Sequence, residues 1–420
     1  MLAQSGEQAG MAGRVDVRMQ GFRRRSEVAA VWEWIERNAV ALPAEDVALE
    51  TATDRVLAGD VVATLDVPAF DRAAMDGYAL RGNETSGANE YNPLSFPVVG
   101  EVLPGRPFDG EIEAGTSVRI MTGAPVPKGV DAVVPAEYAT EAAGRIEITR
   151  PVAPGQHVAS RGEDVATGST VLTAGRRMRP QDAGLVASLG LANVPVVRRP
   201  RVRILVTGNE VVAPGAPKDL YQIYDANSYL LRGLVARDGG VLAECARLRD
   251  DANTIRDALA KGGVDVVLVS GGSSVGSEDH APSLVAELGE LAIHGVAMRP
   301  SSPAGAGRIG DALVFLVPGN PVSCLCAYDF FAGRAIRLLG GRSAAWPHRT
   351  RTCKVARKIV SAIGRVDYCR VRIVDGAAEP LALAGASILS STTRADGFVI
   401  IPGESEGYAP GDEVTVYFYD

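Results

Sequence analysis

The chain is poor in the residues that most often advertise a catalytic or metal centre. Its 420 residues include four histidines, five cysteines and only 5% Phe, Trp and Tyr. Cys245, Cys324, Cys326, Cys353 and Cys369 are odd in number and widely scattered, which argues against a disulfide framework. Cys324 and Cys326 have no second pair or nearby histidine at ligand spacing, so buried thiols in a reducing cytoplasm are expected. His157, His280, His294 and His348 show no close spacing, and neither H-E-x-x-H nor G-x-S-x-G occurs, so zincin and serine-hydrolase chemistry lose support. A Walker sequence and a G-x-G-x-x-G after a strand are also missing. There is no excess of positive charge: 43 Lys and Arg against 50 Asp and Glu leave a net charge of -7, not the footprint of a nucleic-acid binder. No apolar run reaches the roughly 18 residues of a membrane span, and Met1 to Gln20 holds no signal-like apolar stretch.

What is abundant is glycine. Its 47 residues exceed the usual ~7% share and predict many tight turns. At roughly 150 residues per domain the length suggests about three domains. Residues 1–20 lack periodicity and read as a disordered tail. Ser26 is placed to cap a helix with apolar positions Val28, Val31, Trp32, Ile35 and Ala39. From about Val61 to Leu172, short alternating runs broken by Pro and Gly predict a β-rich domain. A helix from Pro180 to about Leu189 follows. Between Arg201 and Gly340, the apolar runs Val202–Val206, Val264–Val269 and Leu313–Val317 alternate with helical patterns at 227–237, 253–260 and 283–288. That texture predicts a multidomain α/β plus β protein whose α/β part is a doubly wound parallel sheet. Alternation returns beyond Trp346, as in a small β-barrel or sandwich.

Ligands of open α/β sheets sit beyond the carboxyl ends of the strands. Three unusual loops leave such ends here: Thr207-Gly208-Asn209-Glu210, Ser270-Gly271-Gly272 through Gly276 to Asp279, and Pro318-Gly319-Asn320-Pro321-Val322-Ser323. Gly-rich turns offer clustered backbone N–H groups to a phosphate, and Glu210 and Asp279 beside them suit Mg²⁺. Each loop alone reads equally well as a tight turn; three on one sheet edge favour a phosphorylated ligand bound with metal. In the β-rich region, Pro68–Ala79, Met121–Pro125 and Arg161–Asp164 have similar texture, and singly each is more simply a turn.

Together these segments resemble the molybdopterin molybdenumtransferase family, MoeA of bacteria and the E-domain of gephyrin. The resemblance runs from about residue 20 onward. It rests on A-M-D-G-Y-A at 74–79, I-M-T-G-A-P-V-P at 120–127, R-G-E-D at 161–164, T-G-N-E at 207–210, S-G-G-x-S-V-G-x-x-D at 270–279 and P-G-N-P-V-S at 318–323. It implies an elongated four-domain subunit: a discontinuous dimerisation domain (21–62 and 163–197), a β-rich domain (63–162), a molybdopterin-binding α/β domain (198–345) and a C-terminal β-barrel (346–420). It also implies a cytoplasmic homodimer whose active site is shared between subunits. Molybdopterin adenylyltransferase and downstream cofactor-handling proteins are implied as partners, without nucleic acid or membrane. The implied reaction inserts molybdate into adenylylated molybdopterin, with Mg²⁺-dependent release of AMP.

By similarity, the active-site positions are Asp76, Thr122, Asp164, Glu210, Asp250 and Asp279. Glu210 and Asp279 would hold the metal, with Asp250 on the pyrophosphate side; Asp76, Thr122 and Asp164 would come from the other subunit. Gly271, Gly272 and Gly276 would cradle the phosphate, and Pro318, Asn320 and Pro321 would shape the pocket. Ser387, Ser390 and Ser391 match a polar segment near the site, with Ser390 taken as a ligand contact. Two departures stand out. Bacterial members commonly carry Lys-Pro-Gly-Lys-Pro where this chain has Arg299-Pro300-Ser301-Ser302-Pro303, and a lysine where it has Pro282. Either Arg299 and metal suffice, or Arg308 swings in, or insertion is impaired. Two rivals therefore accompany the transferase reading: a non-catalytic gephyrin-type scaffold and a nucleotide pyrophosphatase.

Overall fold

Alternate residues of the strand Arg201–Thr207 enter two different cores, which fixes the architecture around it. Val202, Ile204 and Val206 pack with helices Asn227–Arg237 and Pro321–Ala327, while Leu205 packs with Ala252–Ala260 and Ala281–Leu288. The period of two thus puts helices on both faces of one sheet, as the continuous apolar runs predict. The structure, a computed structural model, describes residues 25–272, 279–383 and 385–419; the expected tail at 1–20 and Gly276 lie outside them. Two compact units divide the chain, one running to Glu45 and resuming at Val197–Asp420, the other Asp46–Val196. The boundaries expected at 62, 162 and 345 fall inside these units.

In the first unit the sheet order is Val241–Leu248, Arg201–Thr207, Val266–Ser270, Ala312–Val317, Gly305–Ile309, Glu290–His294. The first four strands are parallel, and the last two form an antiparallel edge. The doubly wound expectation holds, but the sheet is mixed rather than wholly parallel. The edge was illegible because Gly305-Ala306-Gly307 carries no β-branched signal: a Cβ on Gly307 would stand 2.1 Å from the Glu290 carbonyl oxygen.

Helix Val28–Asn38 belongs to this core through Val28, Val31, Trp34 and Ile35. Ser26 does not cap it; the backbone of Ser26 bonds Gly295 and bridges Val296, leaving Glu27 as the first flanking residue. Trp32, expected on the apolar face, is half-buried and donates from Nε1 to the Phe330 carbonyl at 2.9 Å. The C-terminal strands run Met298–Arg299, Val366–Val374, Gly397–Ile401, Glu413–Phe418, Thr350–Lys354, with Ala377–Ala382 beside Val366–Val374. A bridge from Val355 to Ala378 closes the ring as a small barrel.

The second unit contains a six-stranded mixed sheet in the order Ala132–Pro135, Gly77–Leu80, Ser117–Ile120, Leu94–Val102, Arg145–Ile148, Ala139–Ala142. Separately, Ala52 to Ala63 and Val165 to Val196 share one apolar core. Helix Pro180–Ser188 starts there with Pro in its first turn and the buried Asp182 accepting from Arg176 and Arg179. No described helix is long and apolar enough to cross a membrane.

A buried ion network joins the barrel's lead-in to the α/β core. Arg237 Nη2 donates to Asp329 Oδ1 at 2.6 Å and to Asp238 Oδ2 at 2.8 Å, and Arg337 Nη1 donates to Asp238 Oδ1 at 2.9 Å. His348 Nε2 lies 3.6 Å from Asp329 Oδ2. Burial pushes the Asp329 carboxyl up, but Arg237 and His348 outweigh it and hold it below the ordinary carboxylate range. Replacing Asp329 by Ala leaves Arg237 with Asp238 as its remaining carboxylate, so unfolding in urea should show a loss of about 1–3 kcal/mol, the scale of a charged hydrogen bond. Because folding depresses this carboxyl, its contribution is complete above a pH of about 4 and is lost as pH falls through the folded value. The gap between wild type and variant should therefore narrow in acid.

Candidate functional site

The chain leaves Arg201–Thr207 toward one edge of the sheet and Val266–Ser270 toward the other, so their carboxyl ends part and open a crevice. There lies a cleft of about 750 Å³. Thr207, Glu210, Asp250, Gly271, Gly272, Asp279, Pro318, Asn320 and Pro321 line it, so the structure brings together residues of the three loops and Asp250, which follows the strand Val241–Leu248. Gly271 has φ 92°, and a Cβ there would sit 2.4 Å from the Thr207 carbonyl oxygen; only glycine permits that approach. The Gly271 N–H already donates to the Val317 carbonyl at 3.2 Å, so this glycine shapes the cleft rather than offering its N–H to a phosphate.

Asp250 is tied across to the first loop: its Oδ2 accepts from the Asn209 N–H at 3.0 Å, and its own N–H donates to Asn209 Oδ1 at 3.3 Å. Asn227 Nδ2 donates to Ser270 Oγ at 2.9 Å and to the Gly319 carbonyl at 2.7 Å, locking the second loop to the third. Asp225 also lines the cleft, but Ser228 and Arg247 already engage its carboxylate. Among the described lining residues there is no Lys, Arg or His. A cleft with Glu210, Asp250 and Asp279 and no basic group repels a phosphoanhydride unless a cation stands between them. Among the described residues no three His, Cys, Asp or Glu side chains gather as a ready-made metal cage. Mg²⁺ takes one or two carboxylates and completes its shell with phosphate and water, so Glu210 and Asp279 are residues that could hold it.

In the second unit, the short strand Arg72–Ala73 draws three motifs together. It pairs with Val158–Ala159 on one side and bridges Pro125 on the other. Asp71 accepts from the Arg161 N–H at 2.7 Å. Asp76 Oδ1 accepts from both the N–H and the hydroxyl of Thr122, each at 2.7 Å. These bonds hold the exposed Asp76 carboxyl below its ordinary value. Asp164 is exposed on the loop that bridges Val67 to Val165. Gly77 follows Asp76 because a Cβ would lie 2.0 Å from the Val134 carbonyl oxygen.

Comparison with known proteins places these motifs. Residues 26–190 match the MoeA N-terminal region (domain I and II), 203–337 a probable molybdopterin binding domain, and 352–419 the MoeA C-terminal region (domain IV). The chain is 36% identical over 383 residues to molybdopterin molybdenumtransferase 2 of Mycobacterium tuberculosis, covering 88% of this chain and 94% of that one. The chain belongs to the molybdopterin molybdenumtransferase family. The molybdopterin molybdenumtransferase of Bacillus subtilis is 33% identical over 388 residues, 89% of each chain. The MoeA structure from Pyrococcus horikoshii OT3 is similar with a TM-score of 0.79 at 32% identity, over 94% of this chain and all of that one. The family is one of molybdenum cofactor biosynthesis, and the scaffold and pyrophosphatase readings are not favoured.

The departures from the transferase family pattern now have positions. Arg299 does not line the main cleft but an adjoining cavity of about 400 Å³, which shares Pro303, Pro318 and Asn320 with it. There Arg299 donates to the buried Asp367, and Arg365 Nε lies 3.1 Å from the same carboxylate. Arg25 lines the cavity too. Sequence reasoning missed Arg365 and Arg25, which carry no local signature. Arg308 bonds the Gly310 carbonyl on the antiparallel edge and lines neither cavity. Pro282 is buried in the first turn of Ala281–Leu288. Ser387 lines the cleft, whereas Ser390 is exposed in the short helix Ser390–Thr393 outside it, and Ser391 is buried with its hydroxyl on Ile388.

Two outcomes test the geometry. Gly271→Ala should cost about 2 kcal/mol or more in thermal or urea unfolding, from left-handed strain plus the carbonyl clash. Thr122→Val removes one of the two bonds on Asp76, so NMR titration should find that carboxyl nearer its ordinary value; an unmoved midpoint would discount the hydroxyl.

Proposed function

We propose that this chain inserts molybdate into adenylylated molybdopterin and releases AMP, with Mg²⁺ at the acidic cleft. The observation that carries the reading is the cleft itself, where Glu210, Asp250 and Asp279 surround Gly-rich loops with no described basic residue beside them. Mg²⁺ held there would neutralise charge on the phosphoanhydride and on the phosphate that leaves as AMP. Glu210 and Asp279 are the residues that would hold it. Asp250, held by its two bonds with Asn209, would act on the pyrophosphate side. Pro303, Pro318 and Asn320 form the wall shared with the arginine-lined cavity, so an oxyanion there would sit next to the substrate rather than among the carboxylates. Arg299 would bind that oxyanion, molybdate, from its place on Asp367. Asp76, Thr122 and Asp164, exposed on the second unit, would act at the cleft of the other subunit in a homodimer. A cytoplasmic setting and supply by an adenylyltransferase complete the reading.

The decisive measurement is release of AMP from adenylylated molybdopterin by the purified protein, with and without molybdate and Mg²⁺. Release that requires both is expected. Release without molybdate would point to a pyrophosphatase, and binding without release to a scaffold. Arg299→Ala should raise the molybdate concentration for half-maximal release about tenfold, the scale of one charged hydrogen bond. Unchanged molybdate dependence would remove Arg299 from the oxyanion site.

A further inference from the structure

The segment that follows Glu210 folds into a small flap at the cleft mouth. Val211–Val212 pairs in parallel with Ile223–Tyr224, and the Ile223 N–H donates to the Glu210 carbonyl at 2.9 Å. Large apolar side chains on and beside this flap are turned to solvent: Leu220, Tyr221, Ile223, Tyr224 and Tyr229. Such a concentration of exposed apolar surface marks a binding surface more often than a chance of folding. Only Ile223 and Tyr224 of these five line the cleft. Tyr224 is 45% exposed, yet its ring is held at both ends, by the strand pairing and by a bond from its hydroxyl to the Ala216 carbonyl at 3.2 Å. Lys218 Nζ stands 5.9 Å from the ring centroid and donates to the Gln222 carbonyl, so the flap also carries a cation next to the ring.

We propose that Tyr224 is a substrate-stacking residue, an aromatic wall for a planar nitrogen heterocycle joined to the phosphoanhydride. The proposal rests on the functional reading above, whose substrate has a flat ring at each end, a nucleobase and a pterin. Position supports it. The bond from the Ile223 N–H to the Glu210 carbonyl puts the Tyr224 strand beside the residue proposed to hold the metal, and Tyr224 lines the same cleft as Glu210, Asp250 and Asp279. A fixed, half-exposed aromatic ring binds a flat heterocycle with little loss of side-chain entropy. Ile223 adds apolar surface beside it.

The test is calorimetric binding of AMP and, separately, of pterin-6-carboxylate to the full-length protein with Mg²⁺. Tyr224→Ala should weaken one of the two probes about tenfold or more, while Tyr224→Phe stays within about twofold of wild type. The probe affected identifies which ring meets Tyr224. Tyr221→Ala, on the same flap but outside the cleft lining, should leave both affinities unchanged. Tyr224→Leu, apolar but without a ring, should behave as Ala does and keeps the test open if truncation unsettles the flap. Unchanged binding in Tyr224→Ala overturns the proposal while leaving the transferase reading intact. Equal weakening by Tyr221→Ala, or a shift in oligomeric mass on substituting Tyr224, also overturns it by making the flap a protein contact. A wild type that binds neither probe sinks both readings.

Discussion

The close approach of Gly271 to the Thr207 carbonyl is the constraint on which the candidate site depends. Two neighbouring parallel strands send their chains in opposite directions, and their first turns must pass within van der Waals contact at the point of divergence. A side chain at 271 would occupy the space of a main-chain oxygen, and Gly319 would have its own Cβ 3.5 Å from the Gly271 Cα. Glycine therefore serves packing here before it serves any ligand. The Gly271 N–H closes on Val317, and the cleft emerges as the volume left when three strand ends are drawn this close. The bonds from Asn227 to Ser270 and Gly319 hold that closeness from below.

Charge is then sorted around the shared wall of Pro303, Pro318 and Asn320. The carboxylates of Glu210, Asp250 and Asp279 line one side, and the guanidinium groups of Arg25, Arg299 and Arg365 line the other. Two arginines sharing the buried Asp367 are fixed in place, since each has a partner that water does not replace. On the proposed reading, a phosphoanhydride and an incoming oxyanion would have separate places, one needing a metal and one supplying its own cations.

Much of this was legible in the sequence, and the gaps have physical causes. The strands Arg201–Thr207, Val266–Ser270 and Ala312–Val317 announce themselves because both faces are buried and the runs are continuous. The glycine-bearing edge Gly305–Ile309 does not, since its stability comes from close backbone approach rather than from side chains. Glu210 and Asp279 were readable because each follows a strand end, whereas Asp250 came from the family resemblance alone, since the strand before it, Val241–Leu248, lies at the sheet edge without a continuous apolar run. Arg365 and Arg25 were not, because nothing local in G-R-V-D or R-R-R-S marks a cavity built by residues hundreds of positions away. Ser26 misled because its main chain is drawn into a bridge to Val296, which makes no use of the hydroxyl and leaves Glu27 to flank the helix. Ser390 misled because the segment that reaches the cleft does so three residues earlier, at Ser387.

The lost lysines illustrate the difference between a motif and a charge distribution. Ser302, at the position of the second lysine, lines the same cavity as Arg299, so the substitution removes a cation from a place where Arg365 and Arg25 remain. A lysine there is a mobile point charge, whereas Arg299 and Arg365 are planar groups anchored on one carboxylate. The substitution at Pro282 lies in a buried helical first turn, where proline stiffens the helix start that Asp279 precedes. Neither change places a new carboxylate near the arginine-lined cavity or removes one from the acidic cleft. What a tetrahedral dianion requires is net positive potential, and on the proposed reading Arg299, Arg365 and Arg25 against the single Asp367 would supply it without the second lysine.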